Sequence, residues 1–408
     1  MNQIVMREMF DALEKSGKYV CFEFLNASVG FYCDDNDFVE WFSKCFGGYF
    51  VPSQRQPADA VIYSSQDASL FEDLQTLATS SGHAEAADYS ELQLDSQHYF
   101  ISTREVDKKN NVEETRYIVS QAGKRVLVAS PGSVKVRRET IKRTIRNMMK
   151  LLLIERGWLP LHASACVKNG VGICILGGKF AGKTSTLINL LAQSDATLVS
   201  NDTLFLRDAG THLEGCGFPS DASLRIGTLL ANPELLQWIG KTSDSFYPQI
   251  DAETVREIVA TTPAAELGKR PERIILLATE LAEMLQIAIQ PITPIQLFLA
   301  VQFDPALNEA RLVPVDEEQI ISQLAPHFRS LSAIKKQGFL QSLFGFNETH
   351  LRMKFVSLLT KYASEVVFRE LHQSAGTNAH AEVLVDTLTR EYAPALENER
   401  MLSATGPL

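Results

Sequence analysis

At 408 residues, with 45% hydrophobic content and a mean hydropathy of -0.04, the chain has the make-up of a globular protein large enough for two or three domains. The formal net charge of -10, from 49 acidic residues against 39 Lys and Arg, argues against a general nucleic-acid binder, whose footprint would be basic. No uninterrupted apolar run reaches the roughly 18 residues of a membrane helix, and the opening Met1-Asn-Gln-Ile-Val-Met-Arg-Glu8 lacks a signal-peptide core, so the expectation is a cytoplasmic protein with neither membrane nor nucleic acid as partner.

In chain order, residues 1–135 read as a small N-terminal α/β domain. Tyr19–Leu25 and Ser28–Cys33 look like paired strands, Asp37–Phe46 like a short helix, and Ala58–Tyr63 like a further strand. From Ser64 to Glu91 the sequence is polar and rich in Ala and Ser, as an exposed helix or variable loop would be. Strand patterns return at Tyr99–Ser102, Thr115–Ser120 and Arg125–Ala129, ending at Pro131-Gly132. No catalytic constellation lies here, and the role expected of this domain is substrate or partner recognition.

Residues 136–158 form a connecting amphipathic helix, centred on Arg138 to Arg156. Ile141, Ile145, Met148, Met149 and Leu152 make its apolar face, while Arg138, Lys142, Arg146 and Lys150 repeat at i, i+4 on another. The favoured reading of that stripe is a solvated face paired with local carboxylates; contact with phosphate, an acidic partner or a second copy of the chain is the alternative. The six cysteines (Cys21, Cys33, Cys45, Cys166, Cys174, Cys216) sit singly among apolar residues without a C-x-x-C pair, as reduced, buried thiols do.

The region 159–315 carries the strongest motif. Gly177-Gly178-Lys179-Phe180-Ala181-Gly182-Lys183-Thr184 fits the phosphate-binding pattern G-x-x-x-x-G-K-[ST] at every fixed position. Glycines at 177 and 182 allow backbone conformations closed to other residues, so that N–H groups turn inward around phosphates. Lys183 supplies a point charge to the outer phosphates, and the Thr184 hydroxyl is suited to ligate Mg²⁺. A strand expected at Val171–Leu176 and a helix from Thr184 to Ala192 give the loop the context it needs, with the positive end of the helix dipole facing the phosphates from Gly177 through Ser185. The ligand expected is ATP with Mg²⁺.

Four residues stand around this loop. Ala196–Ser200 reads as the next strand, delivering Asn201 and Asp202 at its carboxyl end, where a P-loop protein places a metal-ligating carboxylate. His162, in Leu161-His-Ala-Ser164, is suited to donate to a phosphate oxygen or to act as acid or base; taken alone, it reads more readily as structural. Arg225, in the turn-rich Gly217–Gly227, suits neutralising a transferring phosphoryl group, with a surface loop arginine as the equal alternative. Further strands are expected at Arg273–Ala278 and Pro294–Val301. Residues 316–408 read as mainly helical, with Phe339–Phe346 as an apolar interruption.

The combination of Leu161-His-Ala-Ser164, the Asn169-Gly170 turn, the loop Gly177–Thr184, Ser200-Asn-Asp202 and Gly217-Phe-Pro through Leu224-Arg-Ile-Gly-Thr228 resembles the C-terminal domain of HPr kinase/phosphorylase and the wider HPr-kinase-like serine kinases. The resemblance covers His162 to near Phe303. It implies a phosphoenolpyruvate-carboxykinase-like α/β core that moves the γ-phosphoryl of ATP to a hydroxyl with Mg²⁺. It implies also that His162 is the active-site histidine, Lys183 and Thr184 the phosphate and metal ligands, and Asn201-Asp202 the adjacent acidic pair. The chain departs from the pattern at Asn201, where the family carries a carboxylate; asparagine cannot accept a proton at neutral pH. The first expectation is therefore an ATP- and Mg²⁺-dependent kinase acting on a hydroxyl of a peptide, protein or small metabolite. The second, favoured by Asn201, is a nucleotide-binding module or slow ATPase acting as switch or assembly partner.

Overall fold

Two mixed sheets organise the chain, one in each of two units: Met1–Trp158 with Ser330–Leu351, and Leu159–Arg329 with Arg352–Leu408. The computed structural model describes residues 3–33, 36–80, 89–94, 97–102, 115–193, 195–230, 235, 250, 252–263, 266, 270, 272–329, 339–374 and 377–404. The architecture is mixed α/β throughout.

The first unit runs α1 (Gln3–Ser16), β1 (Lys18–Phe24), β2 (Ala27–Cys33), α2 (Asn36–Phe46), β3 (Val51–Ser53), β4 (Ala60–Ser65), α3 (Ala68–Ser80), β5 (Tyr89–Leu94), β6 (Gln97–Ser102), β7 (Arg116–Ser120), β8 (Arg125–Ala129) and α4 (Val134–Glu155). Its eight strands lie in the order β3-β1-β2-β4-β8-β7-β6-β5, with β2, β4 and β8 parallel and the other pairs antiparallel. The period-two alternation of β2 divides the aromatics between the faces. Phe31 packs edge-on against Phe42 of α2, while its neighbour Tyr32 stacks on Tyr63, which in turn meets Phe10 of α1. The stretch expected to be polar helix or loop contains α3, which buries Phe71 and Leu74 against Tyr99, Ile118 and Leu127; residues 81–88 lie outside the described residues. Helix α1 and the strands β3 and β5 are additions to the expected elements.

The basic stripe of α4 is less solvated than expected, although Lys142 does face a local carboxylate, its Nζ 4.0 Å from Glu139 Oε1. Lys142 is buried, as is the neighbouring Arg137, and the guanidinium groups of Arg137 and Arg138 lie 4.9 and 5.1 Å from the Phe38 ring centroid. The reason is physical: flat cations and aliphatic stems cover the aromatic side of α2, and stacking on a ring takes the place of hydration.

The second unit runs β9 (Leu159–Leu161), β10 (Ser164–Lys168), β11 (Val171–Leu176), α5 (Lys183–Leu191), β12 (Ala196–Ser200), β13 (Leu204–Asp208), β14 (Leu213–Gly217), β15 (Ala222–Arg225), β16 (Arg273–Leu276), β17 (Ile292–Pro294), β18 (Leu297–Phe303), β19 (Arg311–Pro314) and β20 (Val367–Gln373), with further helices at Ile226–Leu230, Ala252–Thr261, Ala278–Leu285, Glu317–Leu324 and Asn378–Ala404. The main sheet has the order β12-β10-β11-β18-β20-β19, beside a four-stranded antiparallel sheet β17-β14-β13-β9 and the pair β15-β16. Among the described residues the region 316–408 is mainly helical, with helices also at Phe339–Ser342 and Glu348–Tyr362, and strand β20 is an addition to the expectation: it pairs parallel with β18 and antiparallel with β19.

Two details fix the centre of this unit. The β10–β11 hairpin turns on Asn169 and Gly170, both at positive φ (52° and 78°), the pairing that tight hairpins favour. Strand β11 is buried at every position, and a Cβ on its Gly172 would lie 1.9 Å from the Pro294 carbonyl oxygen, so that only glycine allows β17 to cross it. Since β10 is antiparallel to both β11 and β12, the start of β10 and the carboxyl ends of β11 and β12 fall at one edge of the sheet. His162, the loop after Leu176, and Asn201-Asp202 therefore converge from positions far apart in sequence.

Candidate active site

The loop Gly177–Gly182 leaves β11 and enters α5 through Gly182, whose φ of 97° is closed to side-chain-bearing residues. A Cβ on Gly182 would stand 2.9 Å from Gln373 Nε2, and one on Gly177 would stand 3.1 Å from Ala181 Cβ and 3.2 Å from the Val301 oxygen. Gln373, at the end of β20, donates to Thr186 Oγ1 at 2.8 Å, and Thr186 donates to the Gly182 carbonyl. The loop is thus clamped from below by a strand that sequence patterning does not reveal. Gly182 provides no side-chain cap for α5, and the first turn carries no acidic residue, so the positive end of the helix is left uncompensated there.

Phe180 also sits at positive φ (70°), with its ring exposed. The Arg225 guanidinium lies 4.5 Å from the centroid of that ring, and the Lys179 ammonium lies 5.0 Å from it. Arg225 donates in addition to the Arg270 carbonyl at 3.1 Å. It therefore steadies the outer side of the loop, and its contacts are not with His162 or Asp202. Gly178 and Lys179 are exposed, Ala181 is half-buried, and Thr184 stands half-buried on the first turn of α5. Ser185 is tied to Thr228 by a hydroxyl–hydroxyl hydrogen bond of 2.8 Å.

Lys183 turns inward and is buried, with Nζ 3.0 Å from His162 Nε2. An ammonium can only donate, so Nε2 accepts and the imidazole proton sits on Nδ1, which faces the Asp202 carbonyl at 3.2 Å and its carboxylate Oδ1 at 3.3 Å. Burial lowers the pKa of His162, and the Lys183 charge adds to the effect against the opposing pull of Asp202, so the ring is neutral at physiological pH. Burial likewise brings Lys183 down to about 8, partly offset by Asp202 and reinforced by Arg329.

Asp202 is held in place by a residue that the motifs do not indicate. Arg329 Nη1 lies 2.5 Å from Asp202 Oδ2 and 3.2 Å from the Asp202 carbonyl oxygen, and it also reaches Thr203 Oγ1. Burial alone would raise the Asp202 pKa; the Arg329 charge and hydrogen bond outweigh it, with His162 and Lys183 adding to them, and hold the carboxyl well below the usual range. The segment carrying Arg329 pairs antiparallel with β9: His162 N–H donates to the His327 carbonyl, Phe328 bridges Leu161, and Arg329 N–H donates to the Pro160 carbonyl. His327 is half-buried near the same cluster, its pKa lowered by burial and then by the charges of Lys183 and His162. In sequence, the only trace of this arrangement is an alternating His-Phe-Arg after Pro326, too short to read as a strand.

Asn201 is buried. Its Nδ2 donates to the Asp221 carbonyl at 3.2 Å, its backbone carbonyl accepts from Ser164 Oγ, and its Oδ1 has no hydrogen-bond partner among the described residues. The donor set of Thr184 hydroxyl and Asp202 carboxylate fits a hard divalent cation only if phosphate and water complete the shell; among the described residues no group of three or more His, Cys, Asp or Glu side chains gathers to hold a metal. All six cysteines are buried and none is in a disulfide, and no described helix is long and apolar enough to cross a membrane.

No family model matches the chain, and no curated protein sequence matches it. Among solved structures the chain is similar to the HPr(Ser) kinase/phosphatase of Coxiella burnetii, at 12% identity and a TM-score of 0.25, over 61% of this chain and 99% of that one. A TM-score this low supports no argument about activity, and any functional reading of the chain rests on the geometry of its site.

Proposed function

We propose that the chain binds ATP at Gly177–Ser185 and moves its γ-phosphoryl group to a hydroxyl of a peptide, protein or small metabolite, on a core of the phosphoenolpyruvate-carboxykinase-like P-loop type. The observation that supports this most is the buried Lys183 at the uncapped, glycine-entered N-terminus of α5, within hydrogen-bonding distance of a neutral histidine that faces Asp202. Lys183 and the loop amides would hold the β- and γ-phosphates. Thr184 and Asp202 would hold Mg²⁺, which when bound neutralises charge on the phosphates. Lys183, once drawn to phosphate, releases His162 Nε2 to face the transferred group. Arg225 would keep the loop in shape through Phe180, and the N-terminal unit would recruit the acceptor. The chain is placed in the cytoplasm on this reading.

A second reading, a nucleotide-binding module with slow or no transfer, is favoured by Asn201. Its amide is directed by the Asp221 carbonyl and offers no proton acceptor at neutral pH. Incubation with γ-labelled ATP, Mg²⁺ and a cell extract separates the two: label on an acceptor supports transfer, and free phosphate alone supports the module. Both readings require that Lys183→Ala abolish ATP binding, and retained binding would sink them together.

A further inference from the structure

We propose that Arg329 is a positioning residue of the nucleotide site, supplying from the chain itself the positive charge beside Asp202 and so reducing the dependence of nucleotide binding on divalent metal. The inference rests on the phosphate-loop reading above. Both carboxylate oxygens of Asp202 are engaged: Oδ1 faces His162 Nδ1 at 3.3 Å and Oδ2 faces Arg329 Nη1 at 2.5 Å. A cation that ligates Asp202 must therefore compete with a guanidinium already in place.

That guanidinium is not a loosely tethered surface group. Its own backbone N–H bonds to the Pro160 carbonyl at 2.9 Å, the preceding Phe328 is buried and bridges Leu161, and the Phe328 ring packs on Phe355 at 5.2 Å between centroids. The backbone at Arg329 is already fixed, so only its side chain has to be ordered to reach Asp202, and both side chains of the pair are partly withdrawn from water, at 28% and 35% exposure. With Arg329 present, a triphosphate entering the loop meets an Asp202 whose charge is already balanced. Without it, Asp202 keeps only the weaker compensation of Lys183 and His162, and the carboxylate repels the phosphates more until a metal bridges the two.

The test measures ATP affinity by calorimetry for the wild type and Arg329→Met, with Mg²⁺ and with Mg²⁺ chelated. The wild type should lose no more than about threefold on chelation and Arg329→Met about tenfold or more, since the methionine keeps length and removes charge. Arg329→Lys retains a point charge and should stay near the wild-type factor; it also keeps the test available if the methionine variant does not fold. Equal losses in wild type and Arg329→Met, or a lysine variant that behaves like methionine, would overturn the role given to Arg329 while leaving the phosphate loop intact. No ATP binding by the wild type in either condition would overturn the loop reading and this inference with it.

Discussion

Lys183 Nζ donates to His162 Nε2 at 3.0 Å, so the cation offered to a phosphate also helps to keep the histidine neutral. Burial lowers the pKa of His162 first and the Lys183 charge second. Replacing Lys183 with methionine removes the second cause while leaving most of the packing. The His162 pKa should rise in Lys183→Met, read from its ring resonances in an NMR titration, and an unmoved or lowered value would contradict the contact.

The same lysine sets a pH dependence. In the free protein Lys183 titrates at about 8, below its usual 10.5, whereas a bound polyphosphate favours the charged form and raises it again. Binding therefore takes up a proton above about pH 8, and ATP affinity should fall by up to about tenfold per pH unit there. For stability the sign is the opposite. Between about 8 and 10.5 the unfolded chain holds the extra proton, so this group's penalty on the fold is full below that window and fades as pH rises through it. Calorimetry in buffers of different ionisation enthalpy checks the uptake; flat affinity through this range would refute it.

Much of the site's frame was legible in sequence because it is local. The run Val171–Leu176 is a strand with the bounds expected, Asn169-Gly170 turns as its composition suggests, and the glycines at 177 and 182 sit where a side chain would clash. What escaped is non-local. Strand β20 is a central strand, yet it carries Arg369, Glu370 and His372, and its neighbours include Gln323, which bonds Glu370, so its polar positions are satisfied by partners no pattern could foresee. Arg329 reaches Asp202, and Gln373 reaches Thr186 behind the loop, across 127 and 187 residues of separation, a distance at which spacing carries no signal. The α4 stripe misled because cation spacing is the same whether the partner is water or an aromatic ring.

Asn201 gives a prediction with two arms. In Asn201→Asp a carboxylate would face the Asp221 carbonyl that the amide now satisfies, beside the charge of Asp202. Stability should fall by about 1–3 kcal/mol, the penalty for a buried polar group set against a like partner, as read from urea unfolding. If the missing proton acceptor is what limits transfer, phosphoryl transfer should rise by about tenfold or more all the same. A folded variant with an unchanged rate would mean that position 201 is not where the base belongs.

The two glycines of the strand and loop separate a packing constraint from a motif. A Cβ on Gly172 would stand 1.9 Å from the Pro294 oxygen and 3.1 Å from Thr293 Oγ1, backbone and side chain of a strand held by its own pairing with β14. Neither neighbour can yield without opening the contact between β11 and β17, so Gly172→Ala should destabilise by about 3 kcal/mol or more, at the upper end of overpacking. At Gly178 an added Cβ meets nothing within 4 Å, and Gly178→Ala should leave the stability within the scatter of a surface substitution, about 0.5 kcal/mol. Gly178 lies inside the phosphate pattern, but at one of its unrestricted positions, and Gly172 lies outside it, so packing and not the motif sets the order of the two. Thermal unfolding of the pair checks that order, and an equal loss at both positions would show that the β11–β17 crossing is not what requires glycine.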